Sequence, residues 1–148
     1  MQYRRFLPLV LLAGVACGDD TAAPAQPRDG AIITFAFDQL PDTLRVHVRD
    51  SATIAEAERR VATGVGSRMP VGPIVRGAGV DTRYPFHYVP DSLRLSDLAM
   101  EVCDGRPMRT PAQVNEFFLL ATGNANAPRA TWCPWGAHPI SVERVGAR

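Results

Sequence analysis

The chain has 148 residues, 46% of them hydrophobic, and a formal net charge of +1, which leaves room for one domain with a modest core. All 16 basic residues are arginine and face 15 acidic ones, so the basic excess of a nucleic-acid-binding surface is missing and no nucleic-acid partner is expected.

Arg4 and Arg5 precede an apolar run, Phe6 to Val15. Its length suits a signal-peptide core and is too short for a stable membrane-spanning helix. Ala16-Cys17 follows. A small residue before a cysteine, at the end of such a run, resembles the bacterial lipobox. Gly14 departs from that pattern, which prefers Leu or Val there. The resemblance implies cleavage after Ala16 and lipidation of Cys17, palmitate included. Gly18 to Asp29 is small, polar and proline-containing, and reads as a flexible tether. The expected organisation is a signal peptide over 1–16, a lipid-anchored tether over 17–29 and one α+β domain over 30–148. Such a protein is exported to the cell envelope and held on a membrane surface through Cys17. Cys103 and Cys133 then remain as an even pair in an oxidising compartment, where a disulfide is expected. Closing a loop of about 31 residues is worth roughly 3.5–4 kcal/mol in the chain-entropy treatment.

Ala31 to Asp38 places Ile33, Phe35 and Phe37 on one face at period two, the mark of a strand. Gln39 to Asp42 supplies turn chemistry through Pro41-Asp42. In Thr43 to Arg49, Leu44, Val46 and Val48 alternate with Arg45, His47 and Arg49, so a second strand completes a hairpin. The Arg-His-Arg row reads as a solvated face, with an anion-binding stripe as the functional alternative. Ser51 to Thr63 is a helix capped by Asp50 or Ser51, with Ile54, Ala57 and Val61 as its apolar stripe and Gly64 at its end. Val65 to Arg83 is rich in glycine and proline and reads as a long ordered loop with one short strand at Ile74-Val75. Its glycines do not sit between a strand and a helix start, so no nucleotide-binding pattern is met.

Tyr84 to Val89 is a strand, Pro90-Asp91 a turn, and Leu93 to Leu95 a further strand. Leu98 to Cys103 alternates on both faces and reads as a central strand that would carry Glu101 inward with Cys103. Thr110 to Thr122 has the clearest helix signals: a Thr110 cap, Pro111 at the first helical position, Gln113 completing the box and Gly123 at the end. Val114, Phe117, Phe118 and Ala121 form its apolar face. Ile140 to Val145 is the last strand. The order implies an α+β fold: a small antiparallel or mixed sheet of about five to six strands, two helices and one disulfide.

Several residues together resemble the BP-seventy-four N-terminal-domain family of small secreted or lipid-anchored domains. They are Val71-Gly72, Ile74, Gly77, Phe86-His87, Pro90, Glu101-Val102-Cys103-Asp104 and Trp132-Cys133-Pro134-Trp135. The resemblance spans about Ala31 to Val145 and departs between Arg106 and Gln113, which is richer in proline and arginine. It implies a small α+β domain with Cys103 and Cys133 bridged. It implies no established activity and carries over no catalytic residue.

Two functions fit. The first is a binding module recognising a protein or glycan through the 65–83 loop and the Trp-Cys-Pro-Trp segment, with Arg76, Arg83, Trp132 and Trp135 as candidate binding residues. Tryptophan offers an apolar platform to sugars and peptides, although both rings would also pack well on the core. The second is a small acid–base hydrolase or isomerase using His87 with Glu101 or Asp104. A histidine hydrogen-bonded to a carboxylate is equally a core device. His47, His87 and His138 are scattered, so no metal is expected, and no cofactor is implied.

Overall fold

The computed structural model describes residues 27–64, 69–98 and 101–146. Ala31–Phe37 (β1) is apolar enough to bury almost every side chain, and it takes the centre of a three-stranded antiparallel sheet. Leu40–Val48 (β2) flanks it on one side and Ala137–Arg144 (β7) on the other. Ile33 lies opposite Val46 and Val142, and Phe35 opposite Leu44, so the period-two pattern sets the register. The hairpin loop is Asp38-Gln39, because Phe37 already pairs with Leu40. Pro41 and Asp42 therefore lie within β2 and not in the turn. Proline is tolerated there because β2 is an edge strand and the register slips beside it, between Ala36 and Phe37.

Ser51–Thr63 (α1) follows the expected bounds. Asp50 caps it by accepting the Thr53 N–H at 2.7 Å, and Gly64 ends it at φ 63° with its N–H on the Arg60 carbonyl. Thr53 Oγ1 donates to the Leu93 carbonyl and fastens the helix to the second sheet. Ile54 and Ala57 are buried as the stripe requires, whereas Val61 is exposed and Arg60 is covered in its place, beside Glu56.

The largest departure from the sequence reading is Met69–Arg76 (β3), an eight-residue strand where a loop is expected. It is the centre of a four-stranded antiparallel sheet, pairing with Phe86–Tyr88 (β4), Arg94–Ser96 (β5) and Ala130–Trp132 (β6). Its inward positions are Pro70, Gly72 and Ile74, so the alternation is real but carried by residues that are poor strand formers. Gly72 is required by a close approach: a Cβ there would meet the Ser92 carbonyl oxygen at 3.0 Å and Leu93 Cα at 3.1 Å. Pro73 has no N–H to give. Opposite it, Val89 donates to the Pro73 carbonyl at 2.9 Å, while the Val89 carbonyl takes the Ser92 N–H at 3.0 Å. Both β4 and β5 run antiparallel to β3, so the expected turn at Pro90-Asp91 is present but joins two strand pieces of one direction and does not reverse the chain.

Leu98 to Cys103 is not a central strand. Glu101–Cys103 is one 3-10 turn, Leu98 is 86% exposed and Val102 68% exposed. Ala99 and Met100 lie outside the described residues. Local attachments to the 132–135 segment replace the ladder. The Cys103 carbonyl accepts the Cys133 N–H at 2.7 Å, and the two sulfurs are bonded with Cα atoms 5.2 Å apart. Pro111–Thr122 (α2) has the full capping box of Thr110 with Gln113 and a left-handed Gly123 at its end. Val114 and Phe118 point into the core, with Phe117 and Ala121 partly covered.

The fold is thus α+β, with seven strands divided between two antiparallel sheets, two helices and one disulfide. One continuous core joins the sheets. Trp132 is its centre, fully buried, with ring centroids 5.0 Å from Phe86, 5.6 Å from Tyr88 and 6.5 Å from Phe37. Among the described residues no helix is long and apolar enough to cross a membrane. Cys17 and its signal lie outside the described residues.

Candidate functional site

Two clefts gather the polar side chains. The first, of about 440 Å³, lies between the outer face of β2, the strand β4 and the 77–81 segment, with Pro27 to Asp29 at its margin. The Arg45, His47 and Arg49 row forms one wall. His47 Nε2 is 2.7 Å from the Asp29 carbonyl oxygen. Arg49 makes a forked ion pair with Asp91, its Nε 2.8 Å from Oδ1. Arg45 has a loose, exposed contact with Glu143 at 3.8 Å. On the opposite wall His87 Nδ1 lies 2.7 Å from the Gly77 carbonyl oxygen, so the neutral ring carries its proton on Nδ1 and leaves Nε2 as an acceptor. Gly79 lies against the base of that side chain, where a Cβ would stand 2.6 Å from His87 Cβ.

An ionic cluster built on the buried Asp81 adjoins this cleft. Asp81 accepts from the Arg45 N–H at 3.1 Å and from Arg83 at 2.8 and 2.6 Å. Burial pushes its carboxyl up, but the Arg83 and backbone hydrogen bonds together outweigh burial and hold it below the usual range. Asp42 is held low in the same way: burial opposes, and Arg109, Tyr84 and the Thr43 N–H prevail. Tyr84 OH donates to the Thr43 carbonyl at 3.0 Å, and its ring lies under the guanidinium of Arg109. Burial first, then the neighbouring Asp42, raises the Tyr84 phenol well above its ordinary value.

The second cleft, of about 360 Å³, is formed where the β1–β2 turn meets the disulfide-linked segments. Trp135 stands half exposed in it, with Asp38, Gln39, Asp104 and Arg106 around it. Asp104 Oδ1 accepts the Trp135 backbone N–H at 2.8 Å and fixes where the indole emerges. Asp38 Oδ1 lies 2.9 Å from His138 Nδ1, a close approach without hydrogen-bond alignment.

The sequence-derived candidates distribute unevenly over these clefts. Trp132 is sealed in the core, its Nε1 donating to the Gly105 carbonyl at 3.1 Å, so the two tryptophans share no platform. Arg76 stacks 3.9 Å above the Phe118 ring and bonds Asn115, Ala127 and Ala125, which welds β3 to α2. Arg83 is engaged by Asp81 and Thr43. His87 and Asp104 line different clefts and are not brought together. The Glu101 side chain lies outside the described residues. Asp38 and Gln39 escape the sequence reading because their site exists only once the turn is seen to be two residues long. Among the described residues no group of three or more His, Cys, Asp or Glu side chains could hold a metal ion.

The family model of the BP-seventy-four N-terminal domain matches residues 31–146, which takes in both sheets, both helices and the disulfide. No curated protein and no solved structure matches the chain. The chain belongs to the BP-seventy-four N-terminal-domain family.

Proposed function

We propose that this protein is an exported, lipid-anchored binding domain that takes a glycan in the Trp135 cleft. The observation carrying the reading is one half-exposed indole ringed by planar hydrogen-bonding groups, Asp38, Gln39, Asp104 and Arg106. A sugar ring offers an apolar C–H face and an equatorial rim of hydroxyls. An aromatic plane serves the first, and paired carboxylate, amide and guanidinium groups serve the second. The disulfide and the Asp104 bond supply preorganisation, which lowers the ordering cost of binding.

The membrane partner enters through Cys17. The apolar run Phe6–Val15, the Ala16-Cys17 step and the polar tether support a lipidated cysteine that displays the domain on the envelope. Cys17→Ser should abolish palmitate incorporation and move the protein from the membrane to the soluble fraction. Retention on the membrane would count against the anchor.

The glycan reading is tested by titrating the mature chain with neutral and acidic oligosaccharides while following indole fluorescence. Trp132 is sealed off, so Trp135 should report binding, and Trp135→Ala should lose it roughly ten-fold or more with the fold intact. Equal binding by that variant sinks the proposal, as does failure of the whole panel. The acid–base alternative rests on His87, whose Nε2 is left as an acceptor. It would prevail if His87→Ala kept the fold and abolished a measured turnover.

A further inference from the structure

The larger cleft is independent of Trp135, and its chemistry differs. Its walls include Ala78, Gly79, Val80, His87 and Pro90, and apolar surface makes up the larger part of the lining. Its charges balance in number, with Arg28, Arg45, Arg49 and Arg83 against Asp29, Asp81, Asp91 and Glu143, but they are not all closely paired. Asp81 is neutralised by Arg83, and Arg49 by Asp91. Asp29 adds a further carboxylate near Arg49. Two guanidinium groups in the lining lack a close ion pair among the described residues. Arg45 has the loose 3.8 Å contact with an exposed glutamate, and Arg28 has no ion pair among the described residues. An apolar slot of about 440 Å³ with loosely paired guanidinium at its rim matches a molecule with an apolar body and one anionic end.

We infer that this cleft is a second ligand site and that it takes a small organic acid. The carboxylate meets Arg45 and Arg28 at the mouth, and the carbon body lies between Val80 and the His87 ring. The planar fork of Arg45 suits a carboxylate, which it can hold by two parallel hydrogen bonds. The His87 ring is held in place by Gly77, so this wall is already formed before a ligand arrives.

The test is calorimetric titration of the mature chain with hexanoate, alongside hexan-1-ol and inorganic phosphate. Hexanoate should bind saturably, and each comparator at least roughly ten-fold more weakly, since one lacks the charge and the other the apolar body. Arg45→Gln should weaken hexanoate by a factor of roughly ten to a hundred. Arg45 is exposed at its guanidinium, and circular dichroism checks that the variant is folded. Amide chemical shifts in the unmodified protein give a readout that needs no variant. Perturbations should centre on Ala78 to Asp81 and on His87. No saturable hexanoate binding overturns the inference. So does equal affinity for hexanol or phosphate, an unchanged Arg45→Gln, or shifts centred on Trp135.

Discussion

The two sheets of this molecule are held together by different means. The β1 sheet is built of long ladders with apolar partners at alternate positions, and β1 and β2 belong to one hairpin. The β3 sheet is assembled from four pieces scattered between Met69 and Trp132, three of them only three residues long. Its ladders are short and interrupted at Pro73 and at the Pro90-Asp91 turn. What substitutes for ladder length is a central tryptophan, a disulfide and side chains bonded across large sequence separations. Local pattern makes the first sheet; long-range attachment makes the second.

The sharpest way to break that contrast is Trp132→Ala. Trp132 touches Phe37 from the first sheet and Phe86 and Tyr88 from the second. Its removal leaves a cavity where the sheets meet, at a cost of about 3–5 kcal/mol. Equilibrium urea unfolding should show this as a lowered midpoint. A loss below about 1 kcal/mol would mean that the sheets do not depend on the aromatic cluster.

Next in size is the disulfide. Cys103→Ser with Cys133→Ser removes a constraint worth roughly 3.5 kcal/mol for a loop of this length. The effect should be unequal across the fold. Hydrogen exchange should accelerate in β6 and around Cys103, while β1 and β2 keep their protection. Uniform loss of protection would show that the two sheets open as one unit and that the contrast is only one of construction.

Acid should act on the join between them. Asp42 on β2 and Asp81 ahead of β4 share Arg83, and Asp42 also holds Arg109. Both carboxyls titrate lower in the folded chain than in the unfolded one, because the guanidinium and backbone hydrogen bonds outweigh burial. Their contribution is therefore complete above the unfolded value of roughly 3.9 and is lost as pH falls through the folded values. Asp81→Asn should cost about 1.5 kcal/mol near neutrality, at the low end for a charged hydrogen bond because Arg83 is half exposed, and should flatten the acid limb. An acid limb as steep as that of the parent would rule out Asp81 as its source.

The same contrast explains what the sequence makes legible. Alternation in Ile33, Phe35 and Phe37, and in Leu44, Val46 and Val48, is a local signal that needs no partner to be read. The two helices are equally plain, because caps and terminal glycines lie within a few residues of what they serve. β3 is illegible for the opposite reason. Gly72 is an inward strand residue because the Ser92-Leu93 backbone crosses it, a fact located about twenty residues away. Leu98 and Val102 mislead in the other direction, since their alternation is real but no ladder receives it. The clefts follow the same rule. His87, Trp135 and Asp104 stand out as residue types, but which of them share a site depends on the turn at Asp38-Gln39 and on the 77–81 segment lying against β4.

The smallest effect tests the local side of the comparison. Thr110 caps α2 through its side chain on the Gln113 N–H at 3.2 Å, while Gln113 Oε1 accepts from the Thr110 N–H at 3.0 Å and from the Arg109 N–H at 2.7 Å. Thr110→Ala removes one of these contacts and should cost about 1 kcal/mol. The helix should persist, because Val114 and Phe118 are buried and the Arg76 guanidinium rests on the Phe118 ring. Fraying should be confined to the first turn and visible as faster amide exchange at Gln113. If α2 instead lost protection along its whole length, the cap would be deciding whether the helix forms at all. Packing against β3 and β6 would then be following the helix, and the local signals read from this stretch would govern part of the second sheet as well.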